Sequence, residues 1–108
     1  EFEIAIRDIY PGEQLTDDYG TLNIDEPFEC ISEEGTNRRV VYPDDLLTYY
    51  EEWDEQVISA LKHLYEVDQK LIHLLRPEFV EKVKTAANEQ FLRDSIKTIY
   101  YNRNDLSK

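Results

Sequence analysis

The hydrophobic pattern of this chain changes period near residue 42, and that change limits the possible folds more than any single residue does. Before it, Phe2, Ile4 and Ile6 alternate with Glu3, Ala5 and Arg7, the two-residue repeat of a half-buried strand. Tyr10-Pro11-Gly12-Glu13 then reads as a turn. Pro presets φ at the second position, and Gly tolerates the positive φ that a type II turn needs at the third. Gln14-Leu15-Thr16 either pairs back or begins a new short strand. Residues 17–27 are polar, relieved by Tyr19, Leu22 and Ile24, and read as an ordered loop. Arg39-Val40-Val41-Tyr42 is short and β-branched, which suits a further brief strand.

From Pro43 the spacing is helical. Pro43 fits a first helical turn, and Asp44 and Asp45 favour the positive end of a helix dipole. Leu46, Tyr50, Trp53, Val57, Leu61 and Leu64 follow one another at three- and four-residue steps. Leu47, Ile58 and Tyr65 widen this stripe, so it suits packing on a core better than a coiled-coil seam. Asp68 is placed to cap a short second helix carrying Leu71, Ile72, Leu74 and Leu75. Pro77 ends that helix and starts a third, with Glu78 and Glu81 in its first turn. Phe79, Val80, Val83, Ala87 and Phe91 face one way, and Leu92, Ile96 and Ile99 continue on a drifted stripe. A break or bend near Asn88 would reconcile the two. The expected fold is α+β: short strands and turns over residues 1–42, then a helical tail of about three helices over residues 43–108.

With 108 residues the chain can hold one modest domain, and no apolar run approaches a membrane span. Its single cysteine, Cys30, cannot form an intramolecular disulfide, so a cytoplasmic location is the default expectation. There is no methionine and the chain opens on Glu1-Phe2-Glu3-Ile4, so it is expected to be part of a longer protein. The net charge of −12 is unevenly spread. Residues 1–56 carry 17 acids against three bases (Arg7, Arg38 and Arg39), and residues 57–108 carry seven acids against nine bases. Such an acidic face repels phosphate backbones and concentrates cations. Nucleic acid is therefore not an expected partner. Either the acids serve solubility alone, or they favour a basic, lysine-rich protein.

Several chemistry-bearing groups read more simply as surface. Asp17, Asp18, Asp25 and Glu26 suffice in number for calcium, but their spacing does not match an EF-hand loop, and a solvated acidic loop is the better reading. One cysteine and two distant histidines, His63 and His73, provide no zinc spacing. Cys30 stands among acids that disfavour a thiolate nucleophile. The three glycines are isolated and form no phosphate cradle.

One stretch is specific: Ala5-Ile6-Arg7-Asp8-Ile9-Tyr10-Pro11-Gly12-Glu13-Gln14-Leu15-Thr16-Asp17-Asp18-Tyr19-Gly20. It resembles, without gaps, the C-terminal motif of SET-domain protein-lysine methyltransferases, close to A-x-R-D-I-x-x-G-E-E-L-T-x-D-Y-G. Pro27-Phe28-Glu29-Cys30 looks like the start of that family's post-SET segment. Tyr42-Pro43-Asp44-Asp45-Leu46-Leu47 looks like the point where bacterial members begin a helical tail. The resemblance covers about residues 2–47. It implies that Tyr19 is the catalytic tyrosine, lying where the methyl group of S-adenosylmethionine meets the target lysine's amine. It also implies that Phe28 lies near the cofactor's adenine or the lysine channel. The chemistry is compatible, since methyl transfer to a neutral amine needs alignment and local polarity, and a phenol can donate and accept hydrogen bonds without charge. Asp18 and Gly20 match the motif as residues that fix the turn presenting Tyr19.

Departures from the family pattern carry their own expectations. Ser32 and Asn37 stand where zinc-bearing relatives have cysteines beside Cys30, so no metal site is expected. The family's upstream glycine-containing and Asn-His motifs do not occur, so this chain alone is expected to bind S-adenosylmethionine poorly and to be inactive. The alternative is a non-catalytic interaction module, a degenerate SET remnant whose helical tail serves docking or a homodimer.

Overall fold

The computed structural model describes residues 3–32 and 36–102. It is α+β, with a two-stranded antiparallel sheet and two α-helices joined by short 3-10 turns. Strand β1 (Phe28–Glu29) pairs with β2 (Val40–Val41), Phe28 opposite Val41 and Glu29 opposite Val40. Helix α1 spans Asp45–Leu61 and helix α2 spans Pro77–Glu89.

The central stripe expected on α1 is the face it buries, but Leu47 and Tyr65, expected to widen it, are exposed, Tyr65 lying beyond the helix. Leu46 and Leu61 are buried, Tyr50, Trp53 and Val57 are half-buried, and Glu51, Glu52 and Glu55 are exposed. Among the described residues two α-helices form, however, and not about three. Between Leu61 and Pro77 the backbone is extended at Val67 and again at Leu75 and Arg76, the last being the residue that Pro77 biases away from helix. What remains between is too short to repay helix nucleation, and it closes only as 3-10 turns over Leu64–Glu66 and Ile72–Leu74. Asp68 caps neither, since Leu71 precedes the second turn. Helix α2 starts at Pro77 as expected but does not bend and continue. Gln90 takes the left-handed conformation at φ 54°, its N–H donates to the carbonyl of Ala86, and the helix stops. Residues Ile96–Ile99 form one further 3-10 turn.

The strand expected from Phe2, Ile4 and Ile6 is not formed over residues 3–9, where Ile4, Ile6 and Ile9 are exposed; Phe2 lies outside the described residues. Alternation marks which side chains a strand would bury, but a strand also needs a neighbour to complete its ladder. Gln14-Leu15-Thr16 likewise forms no strand, and Leu15 is exposed. The turn between these segments does form. The Glu13 N–H donates to the Tyr10 carbonyl at 3.1 Å, with Gly12 at φ 86°. A Cβ at Gly12 would meet nothing within 4 Å, so it is the backbone conformation that asks for glycine there.

The chain divides into two compact units. One holds the residues up to Glu13 together with Glu52–Ser95; the other holds Gln14–Glu51 together with the residues from Ile96 onward. In the first, Leu61 and Ala86 are buried, and Trp53, Val57, Phe79, Val80 and Val83 are half-buried. The Tyr65 hydroxyl donates to Asn88 Oδ1 at 3.3 Å within it. In the second, Val41 and Leu46 are the buried hydrophobic side chains among the described residues, and Asn23 and Asp45 are buried polar ones. Both Tyr19 and Phe28 lie in this second unit.

Candidate functional site

Asp18 builds the turn that carries Tyr19. Its Oδ1 accepts the Gly20 N–H at 2.9 Å, and its carbonyl accepts both the Thr21 N–H at 3.1 Å and the Thr21 hydroxyl at 2.8 Å. This is the capping pattern that Asp makes at the start of a helical turn. The resulting 3-10 turn, Tyr19–Thr21, closes with the Leu22 N–H donating to the Tyr19 carbonyl, and it buries Gly20. Tyr19 itself is 52% exposed. A tyrosine serving only the core would hide more of its ring; this one is fixed at its backbone and open at its side chain.

Phe28 stands beside it. The two ring centroids are 5.9 Å apart with an interplanar angle of 78°, the edge-to-face arrangement favoured by aromatic quadrupoles. Phe28 is 39% exposed, and its backbone is held by pairing with Val41. Thus the two residues singled out by sequence adjoin one another, and each presents an aromatic surface to solvent.

The link between this pair and the rest of the unit is Arg38. Its Nη1 donates to Asp18 Oδ2 and its Nη2 donates to Asp45 Oδ2. The guanidinium also lies over the Tyr49 ring, 5.1 Å from the centroid. Burial works against its charge, but the hydrogen bonds to Asp18 and Asp45 outweigh that and hold the guanidinium above its already high ordinary range. Asp45 keeps only 3% of its side chain exposed, and its Oδ2 also accepts the Tyr42 N–H at 3.0 Å. That reach back over three residues fastens the segment leading into α1 to the helix's first residue.

Asn23 is a second organising residue. It is buried, adopts φ 52°, donates from Nδ2 to the Ile99 carbonyl at 2.9 Å, and accepts the Tyr101 N–H on Oδ1 at 3.2 Å. It ties the loop after Tyr19 to the 3-10 turn over Ile96–Ile99 and the segment behind it. In the same unit, Lys97 Nζ sits 4.7 Å from the Tyr50 ring centroid.

Neither Arg38 nor Asn23 stands out in a motif. The one available signal for Arg38 was its rarity, one of three arginines in a strongly acidic half-chain. For Asn23 it was the general tolerance of Asn for left-handed backbone.

The loop between β1 and β2 is closed near its ends by the protein itself. The Cys30 N–H donates to the Arg39 carbonyl at 2.8 Å, and Cys30 Sγ lies 3.9 Å from the Arg38 carbonyl. Among the described residues, no three His, Cys, Asp or Glu side chains come together as a metal site requires. His63 is exposed with Nδ1 2.6 Å from Glu66 Oε2, and His73 is exposed in its 3-10 turn. Among the described residues no helix is long and apolar enough to cross a membrane.

Compared with known protein families, curated proteins and solved structures, the chain has no match.

Proposed function

We propose that this chain is the C-terminal portion of a bacterial-type SET-domain protein-lysine methyltransferase, with Tyr19 as its catalytic tyrosine and Phe28 as an aromatic wall of the cofactor or lysine site. The observation that carries the reading is the pairing of the motif with its geometry. Tyr19, at the position the motif singles out, projects a half-exposed phenol from a turn capped by Asp18, edge-on to an exposed Phe28. Phe28 suits stacking on a flat heterocycle. The residues present therefore fit one wall of a site.

S-adenosylmethionine, when bound, supplies a methyl group on a sulfonium. The protein's part is to bring a neutral lysine amine in line with that carbon and to exclude water. The Tyr19 hydroxyl can accept from the incoming amine N–H and so aim the nitrogen lone pair. Transfer of the methyl group would leave the lysine nitrogen positively charged, and its extra proton would pass to solvent beside half-exposed Tyr19. A lysine-rich protein substrate suits the excess of acids over residues 1–56.

The test is complementation. Mixing this chain with a segment bearing the family's glycine-containing and Asn-His motifs should create S-adenosylmethionine binding that neither partner has alone, and methylation of a lysine-rich peptide. A stable complex that binds neither cofactor nor peptide would overturn the proposal.

A second reading, a non-catalytic module that docks or dimerises through its helical part, is favoured by exposed Tyr65, Val67, Leu71, Leu74 and Phe91 in the first unit. Sedimentation equilibrium separates the readings: self-association that Leu71→Asp and Leu74→Asp abolish, without any methyl transfer on complementation, selects the module.

A further inference from the structure

We infer that Arg38 is a positioning residue for Tyr19, holding the tyrosine-bearing turn in fixed register with the start of α1. Its consequence for catalysis rests on the methyltransferase reading; its geometry does not.

The two carboxylates it bridges do different jobs. Asp18 spends Oδ1 on the Gly20 N–H, which shapes the turn, and offers Oδ2 to Arg38. Asp45 is buried and anchored to the Tyr42 N–H at the head of α1, where Leu46 beside it is fully buried. One planar guanidinium therefore connects a surface turn to the most buried point of the unit. A short 3-10 turn has few hydrogen bonds of its own and would otherwise swing with its loop. Tyr49 beneath the guanidinium restricts its plane, and the Arg38 carbonyl facing Cys30 Sγ seats its backbone near β2. The same loop end carries β1, and so Phe28, through the Phe28–Val41 register. Arg38 thus sits where the two neighbours of the tyrosine ring, its own turn and the phenylalanine strand, are referred to one frame.

Lysine cannot substitute in this role. An ammonium is a point charge on a flexible stem, whereas the guanidinium fork fixes both carboxylates at set angles. Arg38→Lys preserves the charge beside buried Asp45 while loosening the bridge. Asp18→Asn is the complementary change. Its Oδ1 still accepts from Gly20, its Nδ2 faces Arg38 as a second donor, and the Arg38–Asp45 pair stays intact.

The experiment has two arms on the full chain. In the first, NMR follows the Tyr19–Phe28 ring NOEs, the Gly20 amide and the amides of Leu46–Leu61. Arg38→Lys should weaken the NOEs and shift the Gly20 amide while the α1 amides hold their positions. Unchanged NOEs and Gly20 amide would overturn the inference. Should Arg38→Lys disturb α1 as well, Asp18→Asn decides by the same ring NOEs.

In the second arm, the chain is complemented with the upstream segment. Arg38→Lys should lower kcat roughly 10- to 100-fold with the peptide KM unchanged. Combining it with Tyr19→Phe should cost nothing beyond Tyr19→Phe alone, because a residue that acts through the phenol has nothing left to position. Independent, multiplying losses would overturn the inference. If Tyr19→Phe itself leaves turnover intact, the methyltransferase reading falls, and the first arm still decides whether Arg38 orients the ring.

Discussion

The carboxylate of Asp45 has almost no contact with solvent, and Arg38 is the cation that makes this tolerable. Removing one partner of a buried pair leaves the other charge desolvated and uncompensated, at a cost of about 3–5 kcal/mol. Arg38→Ala should lower unfolding stability by that order in urea titrations. Pairing it with Asp45→Asn should recover much of the loss, since the stranded charge is then gone. At the surface, Arg7 Nη2 donates to Glu13 Oε1, and Glu13 Oε2 accepts the Tyr10 N–H at 3.0 Å. The hydrogen bond from Arg7 first, then that from the Tyr10 backbone, holds the Glu13 carboxyl below the usual range. Because the folded-state value is depressed, the turn's stabilisation is present above the unfolded value and disappears as pH falls through the folded one. The Glu13 carboxyl carbon should therefore titrate by NMR below the ordinary glutamate range. In Arg7→Ala its midpoint should move up toward that range; an unmoved midpoint would deny Arg7 the leading part.

Among the elements, α2 ends on a residue poorly suited to its conformation. Gln90 holds φ 54° where glycine is the common choice, and it is exposed. Gln90→Gly should relieve the Cβ clash while raising unfolded-chain entropy, a net gain of about 0.5–1 kcal/mol in thermal unfolding. A loss would mean that the glutamine side chain stabilises this end. The helices also show where sequence periodicity is legible. Seventeen residues of α1 repeat the apolar stripe often enough to declare the buried face before any coordinates are seen. The stretch after it has equally apolar residues, Leu71, Ile72, Leu74 and Leu75, but too few between Val67 and Pro77 for a nucleus to be repaid. The β-like alternation of Ile4 and Ile6 was readable as a pattern, while strand formation depends on a neighbour that a local pattern does not contain. The Pro11-Gly12 turn could be read in advance, because its requirement is local: a single positive φ.

For the molecule as a whole, the same division governs the candidate site. A motif resemblance singles out Tyr19 and Phe28, and the structure sets their rings side by side. Arg38 and Asn23 were not legible in advance, because Arg38 bridges Asp18, 20 residues back, to Asp45, seven ahead, and the partners of Asn23 lie more than 70 residues away, with no local rule to announce either. Charge is legible at long range only as a sum. If the acidic half-chain draws in a lysine-rich substrate, the peptide KM of the complemented enzyme should rise steeply between about 50 and 300 mM salt, as the Debye length falls from roughly 14 to 6 Å, with kcat little changed. A salt-independent KM would confine the acids to solubility.

One substitution tests the proposed methyl transfer by removing a single oxygen while leaving the ring, the turn and the charge pattern in place: Tyr19→Phe. Methyl transfer to a lysine-rich peptide, followed by mass in the complemented enzyme, should fall roughly 100-fold or more with S-adenosylmethionine affinity unchanged. Equal methylation by both proteins would contradict it.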